Sequence, residues 1–177
     1  GLKNLVSVRC DLTMTAAYTG ETLAGLENLT ACESLRIGSA AHPNETLRQL
    51  SLPALKEIKG DLCVYGTALQ TADFKSLQSV AGHFVLQSDA LLQLTADELT
   101  TVAGNMTLIG TTADEAKAPC EQMYFPKLQR IDGTLTLSRF DRLSGLGTTF
   151  GVLTQAGALR YEHLALANTF EFPLIET

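Results

Sequence analysis

Tryptophan is absent from this sequence and aromatics make up only 6% of it, so no bulky aromatic centre organises the interior. A basic excess is also missing. Lys and Arg number 13 against 19 Asp and Glu, and the net charge of -6 with no basic stripe excludes a nucleic-acid groove binder. The most apolar stretches, Ala90 to Leu94 and Leu164 to Ala167, fall far short of the ~20 residues that cross a bilayer. No membrane insertion by this segment is expected, and any tether would lie outside it. The four cysteines contain no C-x-x-C, which removes the usual zinc and redox pairs. G-x-S-x-G, H-E-x-x-H and P-loop phrases are missing too, and the run Gly145 to Gly151 misses the dinucleotide spacing. His42, His83 and His163 are scattered, so neither a metal site nor a cofactor is expected.

What is present is a repeat. The phrases Ile58-Lys59-Gly60-Asp61-Leu62-Cys63-Val64, Val80-Ala81-Gly82-His83-Phe84-Val85-Leu86, Val102-Ala103-Gly104-Asn105-Met106-Thr107-Leu108 and Ile131-Asp132-Gly133-Thr134-Leu135-Thr136-Leu137 align on glycines spaced by 22, 22 and 29 residues. Leu55, Leu77, Leu99 and Leu128 precede them at one constant interval, and Leu69 and Leu91 follow. A unit of this size cannot bury its own apolar residues, but stacked units form a continuous core with like residues in columns. The period-two alternation makes each phrase a strand with Leu62/Val64, Phe84/Leu86, Met106/Leu108 and Leu135/Leu137 facing in. Successive strands pair in parallel at about 4.8 Å. Each glycine marks a corner needing either positive φ or close backbone approach.

The fold class expected is therefore mainly β, a β-helix or leucine-rich solenoid of about 22-residue coils occupying residues 1–177 as one domain. Clear repeats cover residues 50–140, with a diverged cap over 1–49 and irregular coils over 141–177. Cys10 to Met14 reads as the first strand. Leu23, Leu26 and Leu29 have helical spacing, so a short capping helix is expected between Ala16 and Leu29. Phe172-Pro173-Leu174-Ile175 repeats the wording of Phe125-Pro126-Lys127-Leu128, so a further coil is expected to begin there and the chain to be a module of a longer protein.

Four cysteines allow three connectivities. Cys10 and Cys32 flank the expected cap, and joining them would close a loop of about 22 residues worth ~3 kcal/mol in chain entropy. That pairing is favoured, leaving Cys63 with Cys120 in the insertion; four reduced thiols are the alternative. Asn28-Leu29-Thr30, Asn44-Glu45-Thr46 and Asn105-Met106-Thr107 are glycosylation sequons among only five asparagines, where chance gives about one. They point to an extracellular or cell-surface location.

The arrangement Cys10, helix, Leu26-x-x-Leu29-x-x-Cys32-x-x-Leu35-x-Ile37 and the phrases Leu52-Pro53-Ala54-Leu55-Lys56-Glu57-Ile58-Lys59-Gly60-Asp61-Leu62 and Phe125-Pro126-Lys127-Leu128-Gln129-Arg130-Ile131-Asp132-Gly133-Thr134-Leu135 resemble the receptor L domain. That family supplies ligand-binding domains of insulin and epidermal growth factor receptors and of fungal GPI-anchored cell-wall proteins. The resemblance covers roughly residues 5–140. It implies a right-handed β-helix with a disulfide-closed first turn, no catalytic activity, and a protein ligand or co-receptor as partner.

The outward columns read Asp61/His83/Asn105/Thr134, Cys63/Val85/Thr107/Thr136 and Tyr65/Gln87/Ile109/Ser138, without the clustered carboxylates that a polysaccharide-cleaving β-helix places on one sheet. An enzyme is not expected. Tyr65, Val85, Gln87, Thr107 and Ile109 form a mildly apolar outward patch suited to a protein partner, with Asn105 crowding one side. A structural cell-wall or ice-binding solenoid is the alternative, because Thr13/Thr15 and Thr134/Thr136 are T-x-T pairs; a carbohydrate-active enzyme is the further one.

Overall fold

The alternating phrases become strands because each inward side chain meets the equivalent residue one coil away. In a computed structural model, which describes residues 2–111, 118–143, 149–162 and 164, the chain is a parallel β-solenoid of about six turns with almost no helix. It opens with β1 (Leu12–Met14). A coil of three strands follows, β2 (Ala31–Cys32), β3 (Leu35–Ile37) and β4 (Gln49–Ser51), and then the next, β5 (Glu57–Ile58), β6 (Leu62–Tyr65) and β7 (Thr71–Asp73). β8 (Ser79–Val80), β9 (Phe84–Gln87) and β10 (Gln93–Thr95) make the fourth coil, the β1 segment being the first, and β11 (Thr101–Val102), β12 (Met106–Ile109) and β13 (Gln122–Tyr124) the fifth. The stack continues in β14 (Arg130–Ser138) and β15 (Gln155–Glu162).

Three walls result. The first stacks β1, β3, β6, β9, β12 and β14, the second stacks β2, β5, β8, β11 and β14, and the third stacks β4, β7, β10 and β13. Registers follow the repeat: Leu35, Leu62, Phe84, Met106 and Leu135 are in line, as are Ile37, Val64, Leu86, Leu108 and Leu137. All ten are buried. The second wall contributes Ile58, Val80, Val102 and Ile131, and the third Leu50, Ala72, Leu94 and Met123. Phe74, Phe84, Phe125 and Phe150 run through the core as a chain of ring contacts, edge-to-face at 6.1 and 6.3 Å and then stacked at 5.3 Å. Such contacts add about 0.5–1.5 kcal/mol each beyond the area they bury.

The expected capping helix is not there. Leu26 and Leu29 form a tight turn in which the Leu29 N–H donates to the Leu26 carbonyl at 3.1 Å, and the same turn recurs at Leu52/Leu55, Phe74/Leu77, Ala96/Leu99, Phe125/Leu128 and Phe150/Leu153. A spacing of three therefore marked a turn column rather than helical periodicity. The segment before β2 is instead a degenerate first coil, tied to its neighbour by bridges from Ser7 to Ala31 and from Thr22 to Gln49. At the other end β15 pairs in parallel with β14, with Arg130 opposite Gln155 and Thr134 opposite Ala158. The offset changes by one residue across a bulge and departs from 22, which hid this coil from the repeat. The coil expected at Phe172 lies outside the described residues.

The corner glycines answer the choice posed by the sequence. Neither Gly82 nor Gly104 has positive φ; among the described glycines only Gly25 and Gly38 do. A Cβ on Gly82 would sit 2.7 Å from the carbonyl of Gly60, and one on Gly104 would sit 2.7 Å from the oxygen of Gly82. Close approach between coils is the constraint.

Candidate functional site

Next to the glycine column runs a ladder of side chains that bond the backbone of the following coil. The Ser34 hydroxyl accepts the Asp61 N–H at 3.3 Å, Asp61 Oδ1 accepts the His83 N–H at 2.9 Å, His83 Nδ1 accepts the Asn105 N–H at 2.9 Å, and Asn105 Oδ1 accepts the Thr134 N–H at 2.9 Å. Four residue types thus do one job, because each places an acceptor at the same point. His83 is a rung, not a solvated bystander. Bonding to the His83 N–H, against some desolvation and with help from Arg36 at 2.8 Å, holds the Asp61 carboxyl below the ordinary aspartate range.

The first wall presents a flat outer surface beside this ladder. Arg36, Cys63, Val85, Thr107 and Thr136 form one outward column and Tyr65, Gln87, Ile109 and Ser138 the next. The structure brings together all five residues of the expected patch: Tyr65, Val85, Gln87, Thr107 and Ile109 are half-buried neighbours on three adjacent strands. Burial pushes the Tyr65 phenol above its ordinary range. At one side Arg36 pairs with Asp61 and lies 3.7 Å from Asp11, so the charged groups are neutralised locally and the middle of the surface is uncharged.

The cysteines correct both expected pairings: all four stand as free thiols. Cys10 is exposed whereas Cys32 is in the core, one side chain outside the wall and the other inside. Cys63 lies on the outward phase of β6, 4.0 Å from the Arg36 guanidinium. Cys120 is buried, its thiol donating to the Gln122 carbonyl at 3.4 Å ahead of the third wall. Outward phase on one wall and burial at another keep that pair from the Cβ approach that a disulfide needs. Burial pushes the Cys32 and Cys120 thiols up to about 11, so both are protonated at neutral pH and poor nucleophiles.

The sequons fall into different settings. Asn28 is exposed, with Nδ2 donating to the Lys3 carbonyl at 2.7 Å. Asn105 is exposed and uses only Oδ1 in the ladder. Asn44 is fully buried; Nδ2 donates to the Tyr18 carbonyl at 2.8 Å while Oδ1 accepts the N–H groups of Thr46 and Leu47 at 3.1 and 2.7 Å. A glycan on Asn44 does not fit this fold.

No family model, curated protein or solved structure matches this chain. Its surfaces therefore carry the functional reading. Among the described residues no group of three or more His, Cys, Asp and Glu is placed to hold a metal ion. His163 and Gly145 to Thr148 lie outside the described residues.

Sequence reasoning missed the third wall. Its strands, Gln-Leu-Ser, Thr-Ala-Asp, Gln-Leu-Thr and Gln-Met-Tyr, carry one inward residue each, too little for an alternation signal. Gln49, Thr71, Gln93 and Gln122 keep the same 22, 22 and 29 spacing as the glycines, and that column was the available signal. Over β7 and β10 this wall carries a shallow groove of about 290 Å³ lined by Thr71, Asp73, Gln93 and Thr95.

Proposed function

We propose that this chain is a non-enzymatic recognition domain of the receptor L type, working at the cell surface, with a protein ligand or co-receptor docked on the outer surface of the first wall. The observation that carries the reading is the in-register patch of Tyr65, Val85, Gln87, Thr107 and Ile109. It is flat, uncharged at its centre and anchored on strands that cannot move without breaking the stack. Protein interfaces deplete charge at their centre and favour aromatic anchors there. The strand phrases resemble those of the family, and the parallel solenoid of about six turns is compatible with a β-helix domain; the free Cys10 and Cys32 depart from the family's closed first turn. An ice-binding surface is disfavoured because Arg36, Cys63 and Val85 interrupt the column between Thr13 and Thr107.

The test is binding of the labelled, folded protein to intact cells, followed by flow cytometry. Tyr65→Arg and Ile109→Arg should each abolish most of the saturable signal; retention in both variants would remove the patch as the docking surface. Peptide mass spectrometry of secreted protein should find glycan on Asn28 or Asn105 and none on Asn44. Bare asparagines at all three would count against the extracellular reading.

A further inference from the structure

The groove on the third wall has a chemistry of its own. Thr71 and Asp73 from β7 and Gln93 and Thr95 from β10 line it, and Lys75 and Asp97 close it from the turns that follow. Asp73 is partly committed: its Oδ1 accepts the Lys75 N–H at 3.0 Å. The Lys75 ammonium and the Asp97 carboxylate are exposed, and neither belongs to an ion pair among the described residues. One coil further, Tyr124 continues the column of Asp73 and Thr95. It is 41% exposed, the largest exposed side chain on this wall. Its hydroxyl donates to the Gln122 side chain two residues back on the same strand, which holds the exposed ring beside that strand on the outer side of the wall.

These features select among ligands by elimination. An apolar ligand finds no exposed apolar side chain in the lining, since Ala72 is buried with its methyl in the core. An anionic one faces Asp73 and Asp97 with a single lysine in compensation, on a chain of net charge -6. A metal ion lacks a third ligand among the described residues. A protein interface would want its aromatic or aliphatic anchor at the centre of the patch, where this groove has Thr and Gln. What remains is a neutral ligand rich in hydroxyls, with an apolar flank for the ring. A pyranose fits both demands: its hydroxyls give and accept hydrogen bonds with carboxylate, amide, hydroxyl and ammonium, and its C–H face packs on the negative face of an aromatic ring. At about 290 Å³ and open to solvent, the groove is at the lower edge of the roughly 300–1,000 Å³ of sites that engulf a compact ligand. It suits one side of an extended chain.

We propose that the third wall binds a neutral, unbranched hexopyranose oligosaccharide, with Asp97 and Lys75 bonding ring hydroxyls in the groove and Tyr124 stacking on the adjoining sugar. This site is on a different wall from the protein-docking patch, so either can fail alone.

The experiment is calorimetric titration of the whole chain with cellohexaose, laminarihexaose, mannohexaose and chitohexaose, with a galacturonic acid hexamer as the anionic control. At least one neutral hexaose should bind saturably and the anionic hexamer should not. Asp97→Ala and Tyr124→Ala should each weaken the binding roughly tenfold, the loss of one charged hydrogen bond or one stacking surface. Tyr124→Phe should stay within about twofold of the parent, since the ring face is kept, and Tyr65→Arg on the first wall should have no effect. Circular dichroism melts check that each variant is folded, as expected for exposed positions. Absence of saturable binding by every neutral hexaose overturns the proposal. So does preferential binding of the anionic hexamer, or anything less than a loss in both alanine variants.

Discussion

The middle coils and the first coil are built from the same phrase, yet they are held by different forces. From Glu57 to Ile109 the strand residues, Tyr65 apart, have a register partner on both sides, and Leu62, Phe84 and Met106 are fully buried. In the first coil the matching residue, Leu12, is half-buried because it has a neighbour on one side only. Leu23, Leu26 and Leu29 are still buried there, but Leu12 and Met14 are only partly covered, and polar knots add to the packing. Asn44 joins the Tyr18 carbonyl of the first coil to its own loop, and its backbone pairs with Tyr65 and Thr67 of the next. Two-sided packing enforces the repeat, whereas a one-sided coil lets the sequence drift and relies on individual hydrogen bonds.

That contrast is broken most directly through the core. Phe84→Ala removes a ring that contacts both Phe74 and Phe125 and should cost about 3–5 kcal/mol. Leu12→Ala in the same column, at the open end, should cost under about 1.5 kcal/mol, because the site can relax and is already wet. Urea unfolding of both variants measures the difference; equal costs would mean that the ends are packed as well as the middle. The glycine column gives the next largest effect. In Gly82→Ala the new methyl meets backbone of the preceding coil at 2.7 Å, whereas in Gly66→Ala it meets only atoms at 3.4 and 3.5 Å. The first should cost about 2–4 kcal/mol and the second under about 1 kcal/mol.

Two-sided packing also explains what could be read in advance. The apolar alternation and the glycine spacing are direct records of vertical stacking, so the strands from Leu62 to Leu137 and their inward residues were legible. Leu26 and Leu29 were read as helical because a turn and a helix share the spacing of three, and only the matching bond in six coils separates them. The outward patch was legible once the phase of the strands was known. The ladder was not, because serine, aspartate, histidine and asparagine share no composition signal, only an acceptor at a common point. The groove escaped for the related reason that its wall is nearly all polar.

At the knot, Asn44→Ala leaves the Thr46 and Leu47 N–H groups and the Tyr18 carbonyl without this partner in a buried place, a loss of about 2 kcal/mol. Thermal melts should show it, together with faster hydrogen exchange at Leu47 and little change at Leu86. Uniform acceleration through the middle coils would instead make the knot part of one cooperative unit and erase the distinction between the regions.

The smallest expected effect separates charge from geometry within the ladder. Asp61 bonds the His83 N–H and pairs with Arg36, and both lower its pKa from the ordinary 3.8. A carboxyl with a lowered folded-state pKa stabilises the fold above the ordinary value, and that contribution disappears as pH falls through the lowered one. Asp61→Asn keeps an oxygen for the His83 N–H but loses the charge. The parent should therefore exceed this variant in stability at pH 6, by under about 1 kcal/mol because the pair is near the surface, and the gap should close as pH drops below about 4. Asn105 occupies the same rung one coil beyond His83 and does its work without a charge or a nearby arginine. Asn105→Asp should then introduce a pH dependence of the same sign, weaker and less sensitive to salt, because only the Thr134 N–H favours the ionised form there. If the two variants instead gave equal and opposite pH profiles, Arg36 would contribute nothing, and the ladder would be held by its side-chain acceptors on the backbone N–H groups alone.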